Sequence, residues 1–169
     1  RRLLLASSVV VLSLSAASLG MQPSPQFPKR GWGGGASRYS GDVVNPNWYY
    51  NWGRSPNPGA FSEFVPMAWG AGAVSNSANF QQLLGHSSEY ILGFNEPERP
   101  DQENMTVARA IELWPLLMST GKKLVSPAVS DNAHGRAWLI EFMSEVNRLD
   151  LRVDAIAFHW YGDVRPTNS

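Results

Sequence analysis

The chain has 169 residues with 14 basic and 14 acidic side chains, so it is neutral and carries no electrostatic footprint for nucleic acid or for an anionic membrane surface. It has no cysteine, which excludes disulfides, thiol chemistry and cysteine-based zinc sites. Seven Trp, seven Phe and five Tyr supply material for a core or for faces on which sugar rings can stack.

In chain order, RRLLLASSVVVLSLSAASLG reads first, as a secretory signal. Arg1-Arg2 form the charged region, Leu3–Leu14 the apolar region and Ser15-Ala16-Ala17 a small-residue cleavage site. The apolar run is shorter than the ~20 residues a membrane span needs, and serines interrupt it, so export is expected rather than retention as an anchor. This divides the chain into a signal peptide at 1–17, a proline-rich linker at 18–28 and one domain at 29–169.

The domain alternates strands with helices. Strands are predicted over Lys29–Gly35, Trp48–Trp52 and Phe64–Trp69, although Pro66 is unusual inside a central strand. Ser77–Leu84 reads as a short helix, and Tyr90–Asn95 as a strand buried on both faces. Thr106 caps a helix whose positions Val107, Ala110, Ile111, Trp114, Leu117 and Met118 share one face. Pro115 is expected to kink that helix or break its hydrogen bonding, and Gly121 to end it. Lys123–Pro127 is a fifth strand. Trp138, Leu139, Phe142, Met143, Val146 and Leu149 form another helical stripe, and Val153–Trp160 is a sixth strand. Such alternation predicts an α/β fold, a parallel sheet covered by helices.

Trp32, Trp52, Trp69, Asn95-Glu96, Ser126-Pro127 and His159-Trp160-Tyr161 all fall at or near C-terminal strand ends. In a parallel barrel those ends gather on one face, where active sites are built. Indoles, an amide and a carboxylate there suit a polyhydroxylated ring. Some of these tryptophans are expected simply to fill the core.

At FNEPE the chain resembles glycoside hydrolases of clan A, and more closely glycoside hydrolase family 128, a group of endo-β-1,3-glucanases. KRGWGGG, WYYNWG, FVPMAWG, ILGFNEPE, LVSPAVS and AIAFHWYG carry the resemblance in that order, from Lys29 to the C-terminus. It implies a (β/α)8 barrel of which about the first six strands are present. It also implies a secreted retaining hydrolase of β-1,3-glucan with Glu96 as general acid/base. Asn95 would hydrogen-bond a sugar hydroxyl, and His159 and Tyr161 would line the cleft floor. Trp32, Trp52, Trp69 and Trp160 would be stacking platforms. The implied partner is the polysaccharide alone, met by a monomer without cofactor, metal, nucleic acid or membrane.

Several residues have plainer readings. Glu96-Pro97 alone would pass for a helix start, with Pro in the first turn and Glu serving the dipole. Glu98, Arg99 and Asp101 read as solvated loop charges, and Gly33-Gly34-Gly35 as close backbone packing. His159 has no metal-site spacing with His86 or His134.

A complete barrel of this kind takes about 250 residues. The nucleophile implied by the resemblance, a Glu ending a seventh strand, is expected beyond Ser169, because Asp131 and Asp163 sit on the wrong elements. This chain alone is therefore expected to hydrolyse little or nothing, since one carboxyl cannot fill both roles. A non-catalytic carbohydrate-binding fragment, or a clan A hydrolase of another β-glycan, are the alternatives.

Overall fold

β1 (Gly31–Gly33), β2 (Trp48–Tyr50) and β3 (Glu63–Phe64) form one parallel sheet, with Trp32 opposite Tyr49 and Tyr49 opposite Phe64. They belong to a computed structural model that describes residues 30–34, 46–60 and 62–161. The signal and linker readings, Lys29, Gly35 and Asp163 lie outside those residues. β4 (Tyr90–Leu92) and β5 (Lys123–Val125) form a second parallel pair. A bridge between Met67 and Leu92 joins the two sheets. There Leu92 N donates to Pro66 O at 2.9 Å, and Ala68 N to Leu92 O at 2.8 Å. The strands thus run parallel and in chain order.

The third and sixth strands are shorter than their sequences predict. Pro66 has no N–H to give, and the third segment keeps only Glu63–Phe64 as a ladder, meeting β4 through Pro66 O and Ala68 N alone. Residues 153–160 pair only through isolated bridges, Val125 with Ala155 and Val129 with Phe158. Between those bridges Pro127 offers no donor, and the Ser126 hydroxyl accepts the Ala157 N–H at 2.9 Å in place of a backbone carbonyl. The ladder is interrupted there by a side chain.

Among the described residues four helices cover the sheet: α1 (Ala71–Ser75), α2 (Ser77–Gly85), α3 (Val107–Met118) and α4 (Ala133–Arg148). Asn76, Thr106 and Asn132 cap α2, α3 and α4 by accepting the N–H three residues on. α3 spans Pro115, whose missing N–H leaves one helix hydrogen bond unmade, as expected. Pro115 itself is exposed on the outer side of α3, while Leu113, Trp114 and Leu117 pack inward. Gly121, at φ +73°, turns the chain after that helix.

The alternation of side chains across the sheet makes two cores. On the helix side, Leu83, Ile91, Phe94, Trp114, Leu117, Leu124, Phe142 and their neighbours form the larger cluster. Fully burying each such side chain contributes roughly 1.5–3 kcal/mol. On the other face, Trp48, Val65, Met67, Tyr90, Leu92 and Val125 pack together, with Tyr50, Trp69, Ala155 and Ala157 against them. One cluster therefore draws on β2, the third segment, β4, β5 and the sixth segment. Gly31 and Gly33 make room for it, since a Cβ on either would overlap the Trp48 or Tyr50 ring. This bears out the close-packing reading for Gly33.

Candidate active site

Tyr90 through Glu98 is buried without interruption, so the chain leaves β4 carrying polar side chains that do not reach bulk water. Asn95 N donates to Trp69 O at 2.9 Å, and Glu96 N donates to Ala128 O at 2.7 Å. These two bonds continue the ladder on either side past the end of β4. Glu96 then turns at φ +41°, a left-handed conformation that costs a non-glycine residue on the order of 1–3 kcal/mol. The turn swings its carboxylate into the site instead of along the strand. Residues 96–102 form turns rather than a helix, and the next helix begins at Val107, so the helix-start reading of Glu96-Pro97 does not hold.

Glu96 is 5% exposed. Its Oε1 lies 2.8 Å from His159 Nδ1, and its Oε2 lies 3.5 Å from an Arg99 guanidinium nitrogen. The histidine contact works in either direction. An Nδ1–H can donate to the carboxylate, or a protonated Glu96 can donate to Nδ1. His159 reaches this point because its own N–H donates to Val129 O at 2.8 Å. Arg99 is shared, with its stronger bonds going to Asp101 at 2.6 and 2.9 Å.

Asn95 is 3% exposed. Its Nδ2 donates to Gln102 Oε1 at 3.1 Å, while its Oδ1 is buried without a protein partner among the described residues. An amide oxygen in that state suits a ligand donor.

The aromatic residues divide. Trp52 and Trp160 are each about half exposed and Tyr161 more so, which leaves ring surface open. Tyr161 meets His159 edge-on at 6.0 Å, and Trp52 meets Tyr50 edge-on at 5.1 Å. Burial, and then the nearby Tyr161, push the Tyr50 phenol above its ordinary value. Trp69 is half-buried against the inner cluster and also serves as packing. Trp32 is half-buried on β1, opposite Tyr49. Trp52 also sits at φ +59°, the second strained residue directly after a strand.

Sequence reasoning missed Glu98. Expected as a solvated charge, it is 5% exposed, and its Oε1 accepts the Ser130 N–H at 2.8 Å. The signal was available: the question of why an acid ends a buried run applies to both acids of NEPE. Arg99 and Asp101 do form an exposed ion pair, as expected of loop charges. Glu103, from the same loop, accepts the Ala71 N–H at 2.7 Å and sits so close to Gly70 that a Cβ there would overlap its carboxylate. Asp131 pairs with Arg136 at 3.1 Å, away from Glu96. Among the described residues no cluster of His, Asp and Glu could hold a metal ion.

A family model described as the glycosyl hydrolase catalytic core matches residues 34–168. Among solved structures, the chain is similar to a GH128 subgroup I endo-β-1,3-glucanase from Amycolatopsis mediterranei in complex with laminaritriose. The TM-score is 0.66 at 35% identity, over 79% of this chain and 56% of that one. A subgroup II endo-β-1,3-glucanase from Sorangium cellulosum gives 0.63 at 28% identity, over 76% of this chain and 60% of that one. A subgroup III curdlan-specific exo-β-1,3-glucanase from Blastomyces gilchristii, in complex with glucose, gives 0.63 at 27% identity, over 79% and 61%. The chain thus spans less than two thirds of each of these structures. No curated protein sequence matches it.

Proposed function

We propose, from the premise that this chain belongs to the glycosyl hydrolase catalytic core family, that the complete protein hydrolyses β-1,3-glucan with Glu96 as general acid/base. The observation that carries this reading is Glu96 itself. A buried carboxylate is held in a strained turn at a strand end, 2.8 Å from His159, whose ring in turn meets Tyr161 edge-on. Cleaving a glycosidic bond needs one carboxyl that protonates the departing oxygen and then deprotonates the incoming water. Glu96 and His159 can hold one proton between them for that exchange.

In this reading the mechanism is a retaining double displacement. The second carboxylate is the Glu that the family resemblance puts at the end of a seventh strand, outside the described residues. Glu98, Asp101 and Glu103, the acids that follow Glu96 in its loop, are committed to Ser130, Arg99 and Ala71. Asn95 Oδ1 accepts from a sugar hydroxyl, while Trp52, Trp160 and Tyr161 carry sugar rings, with Trp32 and Trp69 at the margins of the cleft. The sheet is the first part of a (β/α)8 barrel. Chain-order parallel pairing and a single inner cluster reaching from β2 to the sixth segment support that. The N-terminal segment exports the protein.

The test is E96Q in the complete protein, assayed by reducing ends released from laminarin. Turnover should fall by about 10²- to 10⁴-fold with the fold intact. Near-normal turnover would remove Glu96 from the chemistry, and a product released with inverted anomeric configuration would remove the double displacement.

A further inference from the structure

We propose that Glu98 is a positioning residue that sets the distance between Glu96 and His159. It builds on the reading of Glu96 as the acid/base. Three consecutive residues after β5 carry the argument. Ala128 O accepts from Glu96 N at 2.7 Å, Val129 O accepts from His159 N at 2.8 Å, and Ser130 N donates to Glu98 Oε1 at 2.8 Å. The segment 128–130 is therefore the spacer between the two members of the proton-sharing pair. Its free end is fixed by a carboxylate two residues beyond Glu96.

Each neighbouring feature serves that clamp. Ser130 is buried, so its N–H needs an acceptor, and the β5 ladder has already ended. Pro97 joins Glu96 to Glu98 with a fixed φ, and its carbonyl accepts from Met105 N at 2.7 Å, so the link between the two acids is stiff. From the other side, Asn132 N donates to Ser130 O at 2.9 Å. Gly135, in the first turn of α4, lets the helix press on the clamp. A Cβ there would lie 3.0 Å from Glu98 Oε1 and would overlap Ser130 O. The charge on Glu98 is met by the field of the Arg99 guanidinium. Its Oε2 and the Ser130 hydroxyl are both buried without a protein partner among the described residues. A Gln at this position could therefore keep the Ser130 bond and offer its amide to that hydroxyl. An Asp would keep the charge but fall short of Ser130.

The prediction is specific to proton transfer. In the complete protein, E98A and E98D should lower kcat/KM on laminarin by about 10- to 100-fold, the effect of misplacing a catalytic group by roughly 1 Å. E98Q should stay near the wild type. On a 2,4-dinitrophenyl β-laminaribioside, whose leaving group departs without a proton, all three variants should match the wild type in kcat/KM. If E98A fails to fold, E98D and E98Q carry the comparison.

Equal losses on both substrates would make Glu98 a structural residue only and overturn the proposal. So would an active E98D beside an inactive E98Q, because charge rather than reach would then be what matters. Wild-type protein that hydrolyses neither substrate would sink the Glu96 reading, and this proposal with it. A wild type active on both, with E98A and E98D unimpaired, would sink this proposal alone.

Discussion

At the N-terminal ends of β4, β5 and the sixth segment, charged side chains are tied to main chain. Lys122 Nζ donates to the carbonyls of His86 and Ser88, Asp154 accepts the Leu124 N–H at 2.7 Å, and Arg152 bonds both Asp154 and Lys122 O. At the C-terminal ends the pattern reverses. Asn95 Oδ1, Glu98 Oε2 and Ser130 Oγ, three of the four buried side-chain atoms without a partner among the described residues, are there. So are Trp52 and Glu96 in left-handed backbone, a conformation that Asp150, at φ +51°, shares at the opposite end. Each unpaired buried group costs about 1–3 kcal/mol, and each strained residue on the order of 1–3 kcal/mol. One end of the sheet uses its polar groups to hold the strands, whereas the other leaves Asn95 Oδ1 unpaired and, under the proposed function, open to a sugar hydroxyl. The difference is what a parallel sheet working at its C-terminal face requires.

The comparison can be broken from the lower end first. D154A leaves the buried Leu124 N–H without its acceptor and frees Arg152, so it should lower stability by about 1–3 kcal/mol. Turnover per folded molecule should not change. A fall in the denaturant midpoint beside normal laminarin turnover supports the division of labour. A loss of turnover at unchanged midpoint contradicts it.

The upper end should respond in the opposite way. W52A and W160A remove half-exposed rings and little packing. An aromatic contact is worth about 0.5–1.5 kcal/mol, so KM for laminarin should rise roughly 2- to 10-fold. Stability of W160A should stay within about 0.5 kcal/mol, the usual range for a surface change, while W52A also loses its edge-on contact with Tyr50 and should cost about 0.5–1.5 kcal/mol. Unchanged KM in both variants would reduce these rings to surface accidents.

The same contrast explains what could be read in the sequence. The helix stripes, the cap at Thr106 and the burial of Tyr90–Asn95 follow from periodicity and local chemistry and appear in the fold, except that Leu149 falls past the end of α4 and is exposed. The shortness of the third and sixth strands does not, because it depends on which neighbour each N–H meets. Pro66 marked one case, but the Ser126 hydroxyl taking the Ala157 N–H is a contact 31 residues distant. The site divides likewise. Glu96 and His159 lie 63 positions apart and come within 2.8 Å only through the spacer at 128–130. Glu98 looked like loop charge because its acceptor role is owed to Ser130, a partner no local pattern names. Pro115 lies within the continuous span of α3. A proline that faces solvent costs one helix hydrogen bond without disturbing the packed side.

The smallest expected effect lies at the lower end, where His86 tests whether that network also sets a pH limit. Burial pushes the His86 imidazole below its ordinary value, and the Lys122 ammonium adds to the shift. Its Nδ1 accepts from Ser88 N at 3.0 Å, a role it loses on protonation, and its ring packs edge-on against Phe64. The unfolded chain therefore binds a proton more readily than the folded one. Stability contributed by neutral His86 is fully present above the unfolded value of about 6.5 and declines as pH falls from there toward the folded value. Glu63 has the opposite sign. Burial, and then Glu89, raise its carboxyl, so its effect weakens the fold as pH rises from the ordinary carboxylate value toward the raised one. H86N keeps an acceptor for Ser88 N and cannot titrate. Its melting temperature should change less between pH 7 and pH 5.5 than that of the wild type. If the two curves run parallel, His86 is not the group that sets the acid limit, and the lower network holds the strands without sensing pH.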